Sequence, residues 1–384
     1  MHARSTTLAG ITAALAGFAS SSAVVLAGLT AVGATPMQAA SGLVALCIVQ
    51  ALAMLWLSAR TRIPVLIAWS TPGAALLASS AVPEGGFAAA IGAFLVTAAL
   101  IVLTGLWPLL SKAVAAIPAP IAQAMLAGVL VGLCLAPVRG VVDDPVAILP
   151  IVVVWLVLMR FAATWAAPAA FAVGLGILGV QAVGSGGVEG RILPVLEIVP
   201  PTFSWGAIVG LALPLYVVTM ASQNVPGSAI LSSYGYRVPW RHAMTVTGLG
   251  TAVAAPFGGH AINLGAITAA ITAAPDAHPD PAERWKGVRT VGIAYLVLAV
   301  LATALTTLTA VSPGVLAAVA GLALIPTLVS SISGAIASPE AGHRTAAVVT
   351  FLVGASGIAV WGIGSAFWAL AAGLVVYGVL AWRR

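Results

Sequence analysis

Apolar runs of membrane-spanning length follow one another along almost the whole chain, cut by Pro, Gly and isolated charges. Read by length and breakers, the pattern predicts spans at about 8–32, 38–58, 63–80, 87–110, 117–137, 146–160, 166–183, 205–222, 240–257, 261–274, 288–311, 313–332, 344–360 and 362–382. That makes fourteen helical spans and an all-α polytopic membrane protein. The third and tenth are interrupted. Ile63 to Leu77 is too apolar to leave a bilayer, yet it holds Ser70-Thr71 and then Pro72 in its middle. Ser and Thr are N-cap residues and Pro suits the first helical turn, so a short extended segment should give way there to a half-helix. A helix start leaves N–H groups unpaired, which lipid cannot satisfy. Such a break is tolerated only where it is buried in protein or faces a polar cavity.

A second break falls at His260-Ala261-Ile262-Asn263-Leu264-Gly265, with Asn263 as the cap residue of the matching half-helix and Gly265 allowing close backbone approach. Ala19-Ser20-Ser21-Ser22 late in span 1 is echoed by Ala221-Ser222-Gln223-Asn224 late in span 8, and both offsets are roughly 190–200 residues. The chain is therefore expected to be two repeats, 1–183 and 205–384. With seven spans each, an odd number, the second must be inserted upside-down relative to the first. Inverted repeats with broken helices near the midplane are the architecture of secondary transporters. Gln223-Asn224-Val225-Pro226-Gly227 reads as a further irregular point.

Composition agrees: 61% of the 384 residues are hydrophobic and 6% charged, and 41 glycines suit closely packed helices. The stretch after Arg4 imitates a signal peptide, but its apolar run continues to Val32, long enough to be the first span. Cys47 and Cys134 lie in apolar runs as two thiols with no disulfide or metal implied. A net charge of +6 does not suggest nucleic acid, because the basic residues are scattered singly. Their placement sets the orientation instead. One side holds Arg4, Arg60, Arg62, Lys112, Arg160, Arg237, Arg241, Arg284, Lys286, Arg289, Arg344, Arg383 and Arg384, and the other holds Arg139 and Arg191. Thirteen against two puts both termini in the cytoplasm.

All nine acidic residues fall outside the spans: Glu84, Asp143, Asp144, Glu189 and Glu197 on one side, Asp276, Asp280, Glu283 and Glu340 on the other. A carboxylate relay or buried ion pair is excluded, so the ligand must be handled by neutral polar groups and helix ends. Helix N-termini favour anions. A compact negative group such as a carboxylate is implied, between half-helices starting near Thr71 and Asn263. Candidate binding residues are Ser70, Thr71, Gly73, Asn263, Leu264 and Gly265 at the breaks, Gln223 and Asn224, Ser20 and Ser21, and Trp69 as an aromatic surface. Each has a structural alternative. Ser70, Thr71 and Asn263 could be plain caps, and Gln223 and Asn224 interhelical hydrogen-bonders. The serines could bond back one turn within their helix, and Trp69 could anchor the extended segment. His260 beside the second break is a proton-carrier candidate, or else an interfacial residue. The loop Pro275 to Lys286 carries Asp, His, Asp and Glu, and is read as a solvated turn rather than a metal site. No nucleotide loop, heme or zinc spacing or nucleophile–base set is visible, so no cofactor and no enzyme is expected.

Pro64 to Leu77, Met220 to Gly227, Ala255 to Ile271 and Ala277-His278-Pro279-Asp280-Pro281 before Arg284-Trp285 together resemble the benzoate/proton symporter family of BenE type, over essentially the whole chain. The resemblance implies uptake of benzoate with a proton across the bacterial inner membrane. It also implies the seven-plus-seven fold shared with nucleobase and sulfate-permease-type transporters. Core spans would come from 8–110 and 205–311, gate spans from 117–183 and 313–382, with short strands leading into half-helices 3 and 10. The nucleobase branch commonly carries acids on spans 8 and 10, where this chain has Gln223, Asn224 and Asn263. That departure disfavours a neutral nucleobase. The alternatives kept open are a passive anion channel or exchanger, a nucleobase-type transporter and, disfavoured, a membrane-embedded enzyme. A homodimer is compatible with the sequence.

Overall fold

The computed structural model describes residues 3–184, 193–309, 311–338, 340–361 and 363–381. Arg191, Arg383 and Arg384, used above for orientation, and Glu189, placed above outside the spans, lie outside the described residues.

Chain order is α1 (Ala3–Ala31), α2 (Pro36–Thr61), β1 (Ile67–Trp69), α3 (Thr71–Ala78), α4 (Gly86–Leu106), α5 (Pro108–Ala115), α6 (Ala119–Cys134), α7 (Ala136–Asp143), α8 (Pro145–Phe161) and α9 (Ala163–Gly184). Then α10 (Trp205–Ala207), α11 (Leu213–Thr219) and α12 (Val225–Ser233) run as one helix, Trp205–Ser233, through two π turns. The chain continues through α13 (Trp240–Ala254), β2 (Ile262–Leu264), α14 (Ile267–Ala273), α15 (Trp285–Thr309), α16 (Pro313–Ile336) and α17 (Ala341–Ala355). A hairpin of β3 (Ala359–Val360) and β4 (Ile363–Gly364) leads into α18 (Ser365–Ala381). Among the described residues, eight helices are long and apolar enough to cross a membrane.

Local chemistry explains the boundaries. Thr35 opens α2 with a capping box: its hydroxyl accepts from Gln38 N, and Gln38 Oε1 accepts from Thr35 N, with Pro36 next in line. Arg62 ends the helix in the left-handed region at φ 54°. Two expected spans split at their ends. Trp107 is extended and carries Pro108, so 87–110 becomes α4 and the separate α5, and 117–137 breaks at Leu135 into α6 and α7. Span 344–360 stops at Ala355, where the hairpin takes over.

The irregular point expected at Gln223 to Gly227 takes the form of a π turn, and the helix runs past the expected end of the span at 222. Met220–Asn224 is a π turn, in which Val225 N reaches Met220 O, and the helix runs on to Ser233. Pro226 has no N–H to give, and the shifted hydrogen-bond register just before it lets the helix pass. At the first π turn, Ile208–Ala212, the Ala212 carbonyl accepts from Thr97 Oγ1 at 3.2 Å.

Two sets of helices pack among themselves. In one, α15 lies on α2, α13 on α4 and α2, and α1 on α15 and α3; in the other, α6 receives α16 and α17, α17 packs on α18, and α16 on α7 and α9. Helix α1 also meets α16 and α9, along the seam between them. Small residues permit the closest approaches. A Cβ on Gly28 of α1 would lie 2.4 Å from Ala74 O of α3, and one on Gly128 of α6 would lie 2.6 Å from Phe351 O of α17.

Candidate substrate site

Half a chain apart in sequence, β1 and β2 meet as an antiparallel pair in the register Ile67↔Leu264, Ala68↔Asn263 and Trp69↔Ile262. Ser70 N donates to Ala261 O and Gly265 N to Leu66 O, each at 2.9 Å, closing the ladder at both ends. A two-stranded ribbon inside a membrane has two open edges, whose N–H groups need partners. Side chains from three helices supply them. Gln50 Oε1 of α2 accepts from Trp69 N at 2.8 Å, Thr251 Oγ1 of α13 from Ile262 N at 3.0 Å, and Asn224 Oδ1 from Leu264 N at 2.9 Å. Gln50 and Thr251 escaped the sequence reading because each looks like an ordinary polar residue within a span. Only the pairing of the strands reveals their use.

Each strand leads into a half-helix. Ser70 is the N-cap of α3: its Oγ accepts from Gly73 N at 3.1 Å, Thr71 is the first helical residue and Pro72 the second. Ser70 Oγ also accepts from Thr219 Oγ1 at 2.9 Å, a contact the sequence did not suggest. The second half-helix departs from expectation. Asn263 lies inside β2 opposite Ala68, and α14 begins at Ile267 with Ala266 as its cap. Asn263 therefore caps no helix. With its amide turned so that oxygen meets a donor, it accepts from Ser70 N at 3.2 Å and donates to Leu264 O at 3.0 Å, tying the two breaks together. Ala266 has no side chain to cap with, and its N–H is taken, at 3.4 Å, by Gln223 Oε1.

Both helix starts are thus bound to one helix. Thr219 holds the α3 cap and Asn224 holds β2 just before α14. The two lie about 7 Å apart along the helix axis. Gly227 brings that helix close, since a Cβ there would sit 3.0 Å from Leu264 Cβ. The π turn places Gln223 and Asn224 at this contact, and they differ. Asn224 is fully buried, and its Nδ2 donates to Met220 Sδ at 3.1 Å. Gln223 is half-buried, as are Ser20, Ala68 and Thr71.

On the opposite face of β1 from Ala68, Trp69 is 2% exposed. Its Nε1 donates to Ser21 Oγ at 2.8 Å, and its ring meets Phe18 at 5.9 Å and Tyr295 edge-on at 5.5 Å. The anchoring role is filled. Ser20 and Ser21 both bond back to Gly17 O, at 3.2 and 2.6 Å, the structural alternative foreseen for them. His260 is fully buried rather than interfacial: Nδ1 lies 3.0 Å from Ala261 O, Phe94 meets the ring edge-on, and Nε2 has no hydrogen-bond partner among the described residues.

The loop after α14 is not simply a solvated turn. Arg284 is 5% exposed, and its guanidinium donates to Ala273 O, at the end of α14, at 2.8 Å and to His278 O at 2.7 Å. Tyr236 reaches Pro281 O at 2.8 Å. The phenol is pushed up from its ordinary value by burial, with Arg284 opposing the shift.

Paired strands leading into half-helices among apolar spans are the arrangement of a membrane transporter. The chain belongs to the BenE family, described as benzoate membrane transport protein, which matches residues 1–379. It is 40% identical over 379 residues to the inner membrane protein YdcO of Escherichia coli K12, covering 98% of this chain and 95% of that one. The benzoate membrane transport protein of Acinetobacter baylyi is 31% identical over 335 residues, covering 85% and 82%. Among solved structures, the transmembrane domain of a cyanobacterial bicarbonate transporter, BicA, superposes with TM-score 0.65 at 15% identity, over 97% and 98% of the two chains. The murine anion transporter Slc26a9 also gives 0.65 at 15% identity, over 98% of this chain and 68% of its own. The fold is that of these transporters.

Proposed function

We propose that this protein imports benzoate, or a close aromatic carboxylate, together with a proton. The observation that carries this reading is the crossing of β1 and β2, with both half-helix starts bound to one helix across about 7 Å. The carboxylate lies between those starts, where backbone N–H groups and the Gln223 amide face it and no acidic side chain competes. The ring rests on the apolar surface beside Ala68. The curated relative named for benzoate supports the ligand class.

The chain is read as fourteen spans in two inverted repeats, 1–183 and 205–384, with both termini cytoplasmic. Core helices from 8–110 and 205–311 move against a gate from 117–183 and 313–382, and the two packing sets support this division. With no acid inside the spans, the proton travels on the carboxylate itself or through His260, whose Nε2 is unpartnered.

Uptake of labelled benzoate into proteoliposomes tests the proposal. An inward-directed proton gradient should drive accumulation above the external concentration. Uptake indifferent to that gradient would sink symport. Mere equilibration would favour the passive channel or exchanger.

A further inference from the structure

On the outer surface of the helix bundle, α2, the end of α4 and α13 enclose a groove of about 670 Å³. Its walls are Leu52, Trp56, Leu106 and Leu249, with Arg241 and His242 at one end. Leu52, Trp56, Leu106 and Leu249 are each about half exposed, so the groove opens sideways into the hydrocarbon region. The polar end lies at helix ends, where Leu106 closes α4 and Arg241 and His242 open α13. Exposed Trp56 and Trp107, with Trp240 at the α13 start, cluster at this end, the pattern expected of an interfacial aromatic belt. Arg241 has no ion-pair partner among the described residues.

The geometry points to a built site for one anionic phospholipid, an acyl chain in the groove and the headgroup phosphate on Arg241 and His242. A long apolar trough ending in the Arg241 guanidinium, with the His242 imidazole beside it as a further hydrogen-bonding group, matches an anionic lipid. It does not match a soluble anion, which has no use for the trough, nor a zwitterionic lipid, whose own ammonium would face the arginine. On the orientation proposed above, the occupied leaflet is the cytoplasmic one, and only the leaflet's name rests on that reading.

The site also touches the transport machinery. Gly250 forms part of the groove floor, and a Cβ there would lie 2.6 Å from Ile262 Cδ1, so strand β2 lies directly beneath. Thr251, the next residue, holds Ile262 N. A lipid seated in the groove buttresses the back of the crossed strands.

The test is native mass spectrometry of the full chain extracted from vesicles containing equal phosphatidylglycerol and phosphatidylcholine. Wild type should retain one phosphatidylglycerol in preference to phosphatidylcholine by about tenfold. Arg241→Gln with His242→Gln should abolish the preference. Thr245→Trp, which fills the groove and leaves Arg241 and His242 in place, should abolish retention, with helix content first checked by circular dichroism. Arg160→Gln with Arg344→Gln, removing two cations elsewhere, should change nothing. Equal retention of both lipids, or an equal loss in the Arg160/Arg344 control, would overturn the site in favour of diffuse surface charge. So would full retention in Thr245→Trp, or cross-linking of two Leu249→Cys copies with no lipid retained, which makes the groove a subunit interface.

Discussion

Gln223 and Asn224 are adjacent amides that the π turn puts to different uses. Asn224 is buried, with its oxygen on Leu264 N and its nitrogen on a thioether, so removing it orphans a buried N–H. Such a loss costs about 1–3 kcal/mol. Asn224→Ala should therefore lower the midpoint of thermal unfolding in detergent. Gln223 is half-buried, and only its oxygen meets the protein, at the long distance of 3.4 Å. In Gln223→Ala, melting should stay close to wild type while the KM for benzoate rises about tenfold, the worth of one hydrogen bond to a carboxylate. The reverse pattern would show that Gln223 is the structural amide. Residue chemistry was legible where it is local. Ser70 announces a helix start because Ser, Thr and Pro carry capping chemistry in their own side chains. Ala266 announces nothing, because the acceptor for its N–H comes from Gln223, 43 residues away. Asn263, the best capping type nearby, was read as the cap for that reason, and the structure uses it to cross-link the breaks instead.

At the scale of elements, the crossed ribbon depends on borrowed acceptors. Two strands of three residues each bury little and pair little, so the outward N–H groups decide whether the ribbon tolerates its apolar surroundings. Thr251→Val keeps the shape of the side chain and removes the acceptor of Ile262 N. We expect a stability loss of about 1–3 kcal/mol and faster hydrogen exchange confined to the Ile262 segment. Gln50→Leu should do the same at Trp69 N on the opposite edge. Exchange that stays at the wild-type rate in both variants would mean the ribbon is held by its ladder alone. The breaks themselves were legible from caps and glycines, and the strand register was not, since three-residue strands have too short an alternation to fix a partner. The irregular point at Gln223 to Gly227 was legible, but its form was not, for a related reason. Pro-Gly after two amides is a breaker signal locally, and only a π turn, invisible to a period of 3.6, reconciles it with a continuous helix.

For the whole molecule, the unequal distribution of cations makes a claim about direction. Arg60, Arg62, Lys112, Arg160, Arg237, Arg241, Arg344 and the Arg284–Arg289 segment belong to loops and helix ends assigned to one side, and of the described residues only Arg139 is assigned to the other. A bias of that size orients a polytopic chain with the basic side inward. On the proposed orientation, Gly235, in the turn between α12 and α13, is cytoplasmic, and Val82, between α3 and α4, is external. Both positions are exposed, whereas the native thiols are shielded, Cys47 buried and Cys134 half-buried. In a background with both replaced by Ala, Val82→Cys should react with a membrane-impermeant maleimide in intact cells. Gly235→Cys should react only after the membrane is opened. The opposite labelling would reverse the orientation and move the lipid groove to the other leaflet. It would also move the buried Arg284, which ties the end of α14 to its loop, from the cytoplasmic side to the outer side.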